Sequence, residues 1–443
     1  MSSEWPTVSI SELADEQSGS LAVGPFGSRM KADLYVPSGV RVIRGNNLSG
    51  GREPEGPYVH VSEKTANSLA SCCLKPGDLV FPHRGNIGEV GITPNDGLPY
   101  MLSTSLMKLS PDRKKVDPLY LMYFFKSAIG RAALLMNTSQ VGTPGIATPL
   151  KSLRGIRLPL PPLTVQRGIA DTLSKLDDRI SLLRETNATL EAIAQALFKS
   201  WFIDFDPVRA KMESRVPEGM DEATAALFPD GFEESALGLV PRGWRVLPIG
   251  DAVEAVGGAT PDTKNPAYWD PAIHYWTTPK DLSGNTAPVL LGTERKLSDQ
   301  GVAKIGSGLL PVGTLLLSSR APIGYLALTQ VPLAINQGYI AMPPGGLLPP
   351  LYMLFWCRLN MENIKGRANG STFMEISKKA FRPIPALVPP AVIIQAFTEV
   401  AGTLFDRLVE NEEQAQTLST LRDALLPRLI SGQLRLAEAE AFA

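Results

Sequence analysis

Between Ile169 and Trp201 apolar residues fall in alternating steps of four and three: Ile169, Leu173, Leu176, Ile180, Leu183, Leu190, Ala194, Leu197 and Trp201, with Asn187 in a slot of its own. The same steps return 228 residues later through Phe397, Ala401, Leu404, Leu408, Asn411, Ala415, Leu418, Leu425 and Leu429, with Arg422 among them. Steps that average 3.5 residues make a coiled-coil seam. Pro161-Pro162 and Pro389-Pro390 stand before the two runs, where proline opens a helix instead of breaking one. The pattern predicts two helices of roughly 40 residues, each on the order of 60 Å long. Paired antiparallel with flush ends, they set Ile169 near Leu429, Trp201 near Phe397 and Asn187 beside Asn411. Asparagines that meet in a buried seam satisfy each other and fix its register; at the seam's edge they would meet water instead.

Outside these runs, short β-rich stretches such as GVRVIR, DLVFPHR and GEVGIT alternate with Gly, Pro and Asn breakers, the signature of strands and turns. PLYLMYFFKSAIGRAALLM (118–136) has the length of a helix packed on a sheet. The chain also repeats itself. WPTVSISEL (5–13) matches WRVLPIGDA (244–252), and LKPGDLVFPHRGNIGEVGI (74–92) matches LLPVGTLLLSSRAPIGYLAL (309–328), bringing Gly77, Arg84 and Gly88 onto Gly313, Arg320 and Gly324. YLMYFFKS (120–127) matches YMLFWCRL (352–359), and the offset drifts from 239 to 228 along the chain. A period above 200 residues is far too long for a solenoid. The expected fold is two copies of a mixed α/β (α+β) globular domain, joined by two long helices in an antiparallel coiled coil with pseudo-twofold symmetry. The expected divisions are a globular domain at 1–157, a helical region at 158–212, a connector at 213–235, a second globular domain at 236–385, and a second helical region with tail at 386–443.

Composition changes this picture little. With 44% apolar and 20% charged residues the 443-residue chain should fold. A net charge of −1 leaves the partner open, because a basic face can coexist with acidic surface elsewhere. Three cysteines, two of them adjacent (Cys72, Cys73 and Cys357), and an opening MSSEWPTVSIS without a signal pattern point to a reducing cytoplasm, and no apolar stretch is long enough for a membrane span.

Chemistry is scarce. The chain has no GxxxxGK[ST] loop, no NPPF or NPPY stretch of an amino-methyltransferase, and no acidic-x-Lys partner for PDTK (261–264). Its three histidines, His60, His83 and His274, show no metal-ligand spacing with cysteine. The expectation is therefore no catalytic residue, no metal and no cofactor held by this chain. What remains is a binding module used twice. Arg84 and Arg320 recur before a Gly-containing turn, and the rigid guanidinium fork suits phosphate or the guanine edge. In the same copies stand His83, Arg44, Asn46 and Asn47 with Arg84, and Thr263 and Lys264 with Arg320, types that donate to phosphates or read base edges. Each could equally be a solvated or fold-stabilising polar residue, and His83 becomes Ser319 in the second copy.

The stretches GPFGSRMKADLYVPSGVRVIRGNNLSG (24–50), LKPGDLVFPHRGNIGEVGI (74–92), LPLPPLTVQRGIADTLSKLDDRI (158–180), LFKSWFIDFDPVRAK (197–211), TPDTKNPAYWDPAIHYWTTPKDLSG (260–284) and LRDALLPRLISGQL (421–434) carry a family likeness. In order and spacing the chain resembles the specificity subunit (HsdS) of type I restriction-modification enzymes. The resemblance implies two target-recognition domains, each reading half of a split, asymmetric DNA site, held at a fixed separation by the helices. It implies docking of two modification (methyltransferase) subunits that use S-adenosylmethionine, with restriction subunits that use ATP and Mg2+ in the full complex. It implies no catalysis by this chain. A duplicated protein-interaction scaffold, or service in a methylation-only complex, are the alternatives.

Overall fold

The computed structural model describes residues 5–26, 29–48, 50–139, 144–370 and 374–435. The chain forms two compact units. One holds the chain up to Ile180 together with the stretch from Thr417 onward, and the other is Ser181–Gln416. The division falls inside both long helices, Leu163–Lys199 and Ala391–Ser431. Among the described residues no helix is long and apolar enough to cross a membrane.

The first unit contains a four-stranded antiparallel sheet in the order Leu21–Val23, Leu106–Leu109, Leu79–Pro82, Gly91–Ile92. A second, mixed sheet has the order Tyr35–Val36, Val59–Val61, Val40–Ile43, Tyr100–Leu102, Cys73–Leu74, with Val40–Ile43 parallel to Tyr100–Leu102. The second unit repeats the plan. Leu315–Ser318 pairs antiparallel with Tyr339–Met342 and Leu326–Thr329, and His274–Thr277 runs parallel to Leu333–Ile335. In both units the strand that opens the repeat closes on the last one: Thr7–Ser9 on Arg157–Pro159, and Arg245–Pro248 on Pro385–Val388.

The stretch 118–136, expected as one helix, is two, Pro118–Lys126 and Ala128–Leu135. Ser127 stands between them in extended conformation, and its hydroxyl accepts from the Gly130 amide. That local bond outcompetes helix continuation, as a capping serine does. The chain then folds back so closely that a Cβ on Gly130 would lie 2.0 Å from the Phe124 carbonyl oxygen, so only glycine fits.

The long helices pair antiparallel within each unit. In the first, Ile169 and Leu173 share a core with Leu425 and Leu429. In the second, Phe397 packs edge-on against Trp201, Phe198 and Phe202 with ring centroids 5.2–6.0 Å apart. Each fully buried aromatic of this kind contributes about 1.5–3 kcal/mol. Every expected seam residue is buried or half-buried, but beyond Ala194 the fully buried position is Phe198, with Leu197 at the flank. A straight helix advances 3.6 residues per turn, so a stripe spaced at 3.5 drifts around it by ~20° per heptad, and the aromatic core takes up the drift. The helix then widens into a π turn over Ser200–Asp204 and stops at Phe205, whose φ of 57° is left-handed. The residue 228 positions after Lys199 is Pro427, and there the second long helix, unlike the first, continues as α-helix to Ser431.

Asn187 and Asn411 meet. The Asn411 amide donates to Asn187 Oδ1 at 2.9 Å, and the Asn187 amide donates to the Leu408 carbonyl at 3.2 Å, with both residues at most 3% exposed. Asn187→Ala strands a buried amide and is expected to cost about 1–3 kcal/mol in urea unfolding. The double change Asn187→Leu with Asn411→Leu, which leaves no orphan polar group, is expected to recover most of that loss. A double variant as unstable as the single one would show that the pair contributes nothing through hydrogen bonding.

Candidate nucleic-acid interface

In the first unit the parallel strands Val40–Ile43 and Tyr100–Leu102 end on the same side as Leu79–Pro82. Three backbone bonds tie the loops that follow. Ser103 N–H donates to the Ile43 carbonyl, His83 N–H to Ser105, and Ile146 N–H to His83, at 2.9, 2.9 and 3.0 Å. The second unit makes the same bonds at equivalent positions. Asn336 N–H donates to Thr277, Ser319 N–H to Gly338, and Ile376 N–H to Ser319, at 3.0, 2.8 and 3.0 Å. A fourth correspondence is a single 3-10 turn. In one copy the Asn47 carboxamide oxygen accepts from Arg44 N–H, and in the other the Asp281 carboxylate accepts from Thr278 N–H. Each unit thus carries a rim of loops on a shared backbone frame.

Arg84 is exposed on this rim, its backbone bridged to Gly145. Arg320 takes the equivalent place, bridged to Glu375, with Nη1 3.6 Å from Glu375 Oε2. Asn46 is exposed at the 3-10 turn, and Thr263 and Lys264 are exposed in the loop that follows Thr260, whose hydroxyl donates to Gln337 Oε1 at 2.8 Å. Arg44 is half-buried, and its Nε is enclosed without a hydrogen-bond partner.

Two residues expected to face DNA are buried. Asn47 is 1% exposed, and its amide donates to the Glu55 and Pro57 carbonyls at 2.6 and 3.2 Å. Its valences are spent holding the turn that presents Asn46. His83 is 3% exposed, with Nε2 3.2 Å from the Thr104 carbonyl. That contact makes Nε2 the protonated nitrogen, and Nδ1 is buried without a partner. Burial, with the Arg84 charge behind it, pushes the imidazole pKa down, so the ring is neutral.

The sequence reading missed Lys280, exposed at the place in the second turn that Asn46 holds in the first, as well as Gln337 and Glu375. Phe26, 64% exposed just after Gly24 on the first rim, was also missed. Laying RGNN over TPKD would have found Lys280. Glu375 gave no such signal, because its counterpart is Gly145, which has no side chain.

A second polar feature joins each globular part to its helices. In the first unit Asp177 accepts from Arg422 Nη1 and from the Tyr123 hydroxyl, both at 2.6 Å, and Arg52 pairs with Asp178 at 2.8 Å. This explains Arg422 in an apolar seam. Burial, reinforced by Asp177, pushes the Tyr123 phenol far up, keeping it a donor. In the second unit Phe355 replaces Tyr123 and Arg358 pairs with Glu191.

The model of the type I restriction modification DNA specificity domain matches twice, at residues 3–192 and 241–423. The chain belongs to this family. Each match takes in one globular part and most of the long helix after it, as the internal repeat does. Relatives in the specificity-subunit family include that of the type I restriction enzyme HindI from Haemophilus influenzae, 27% identical over 82% of this chain and 88% of that one. The MjaIX specificity subunit of Methanocaldococcus jannaschii is 36% identical over 39% of this chain and 40% of its own length. Among solved structures, the S subunit of a type I restriction-modification system from M. genitalium superposes with a TM-score of 0.55 at 15% identity, over 97% of this chain and 96% of that one. That likeness shows the fold. Specificity subunits of this family are non-catalytic.

The enclosed His83 has a pH consequence. Its folded pKa lies below the usual value of about 6.5, so on acidification the unfolded chain takes up the proton first. Its contribution is unpenalised above about pH 6.5 and declines below that, until the folded form also protonates. His83→Gln is expected to shrink the drop in urea midpoint between about pH 7.5 and 5; an unchanged drop would place the acid sensitivity in other groups.

Proposed function

We propose that this specificity subunit reads a bipartite, asymmetric DNA site with a fixed unread spacer, each unit taking one half through its loop rim. The observation that carries this reading is the rim itself. One backbone frame is built twice, Arg84 and Arg320 recur on it, and the surrounding side chains differ: Asn46 against Lys280, Gly145 against Glu375. A common frame with different contents is what two unlike half-sites require, since phosphate contacts position and base contacts specify.

The long helices fit the role of a spacer gauge. DNA rises about 3.4 Å per base pair, and a flexible linker would accept many spacings, whereas continuous helices with an asparagine-fixed register hold one. Their outer faces, with Leu182, Ile193, Val392 and Val400 largely exposed, suit docking of the two modification subunits. Those subunits would supply S-adenosylmethionine and the methyl transfer to adenine. Restriction subunits would supply ATP- and Mg2+-dependent cleavage in the full cytoplasmic complex.

The test is to combine the chain with its modification subunit and sequence the resulting DNA for N6-methyladenine. One recurring motif split by a constant gap is the expected result. Modified complexes that assemble and bind S-adenosylmethionine yet yield no motif would leave a protein-docking scaffold as the function. For the individual cations, Lys264→Ala and Lys280→Ala are each expected to lower the slope of log affinity against log salt by about 1 with the motif unchanged. Unchanged slopes would take these lysines off the DNA.

A further inference from the structure

Arg320 and Glu375 form a pair on the second rim, where the equivalent bridge of the first rim sets Arg84 against Gly145. Glu375 is held from both sides: its amide donates to the Asn369 carbonyl at 3.0 Å, and its own carbonyl accepts from Asn369 N–H at 2.9 Å. The next residue, Ile376, donates to Ser319 beside Arg320 at 3.0 Å. The two backbones are therefore fixed, and the side chains emerge together at the rim, 35% and 44% exposed. Their separation of 3.6 Å is longer than the 2.7–2.9 Å typical of a closed charge-assisted bond, so the guanidinium keeps donors and the carboxylate keeps acceptor capacity for a third party.

A carboxylate on a DNA-facing rim repels phosphate, and an exposed ion pair contributes little to stability. Its presence makes sense where it meets a donor. In the major groove a G·C pair shows two acceptors, guanine N7 and O6, beside one donor, the cytosine N4 amino group, and arginine matches the first while a carboxylate matches the second. We propose that Arg320 and Glu375 read one G·C base pair as a unit, Arg320 on guanine and Glu375 on the cytosine amino group. The proposal rests on the DNA-reading function proposed above. Arg84 faces Gly145, which has no side chain, in the equivalent bridge, so this two-sided check is proposed for the second half-site alone.

The experiment compares the motifs methylated by complexes of the full chain with its modification subunits, for the parent chain, Arg320→Ala, Glu375→Ala and Glu375→Gln. Arg320→Ala and Glu375→Ala are expected to relax the same single G·C position, in one half of the motif, leaving the other half and the spacer unchanged. Discrimination at that position is expected to fall about 5- to 150-fold, while Glu375→Ala binds random-sequence duplex at least as tightly as the parent, because a negative charge is gone. Glu375→Gln, which keeps the size and backbone setting, is expected to alter that same position and no other. Relaxation at two different positions would overturn the proposal while leaving the bipartite reading intact. So would tighter binding by Glu375→Ala with an unchanged motif, since Glu375 would then only hold Arg320 off the DNA. A parent complex that yields no motif would overturn both.

Discussion

A single hydrogen bond between two amides, Asn411 to Asn187 at 2.9 Å, constrains more of this molecule than its size suggests. The seam around it is mostly leucine and alanine, which pack almost as well after a slip of one heptad. Slipping the register would bury two carboxamides against hydrocarbon, and each orphan would cost more than the displaced leucines could return. One register survives in the second unit, and in it Trp201 meets Phe397. In the first unit the globular part is tied to the helices by the Asp177, Arg422 and Tyr123 network and by apolar packing, and in the second by the Arg358–Glu191 pair and an aromatic cluster around Phe198 and Phe397.

The recognition rims follow from a similar economy. Parallel strands that end together bring their loops together, and three backbone hydrogen bonds per unit fix those loops without using side chains. Side chains are thereby released from structural duty and can change freely between copies. Asn47 and His83 are the exceptions: one closes a turn with its carboxamide, the other is enclosed against Thr104. In the second copy these positions are Asp281, whose carboxylate accepts from Thr278 N–H, and Ser319, which keeps the backbone bonds of the frame.

The pairing of the helices was legible because it depends on period and on polar outliers, and both are written locally. The duplication was legible because glycines, prolines and arginines at fixed spacing survive divergence. Less visible were the break at Ser127, where one hydroxyl reaches one amide, and the shift of burial from Leu197 to Phe198, which depends on where a 3.6-residue helix has drifted by the time it meets a core. Among candidate contact residues, type alone could not separate Asn46 from Asn47, adjacent and identical, one exposed and one entirely consumed.

The sequence by itself determined two copies of a mixed globular domain and two long helices, because each is encoded by residues that are periodic or repeated along the chain, whereas their register followed only if the helix ends were taken as flush. Tertiary structure decided which polar side chains stand free. Exposure depends on neighbours distant in sequence, such as Glu55 and Pro57 for Asn47 or Glu375 for Arg320, and no local pattern records which residues will be there.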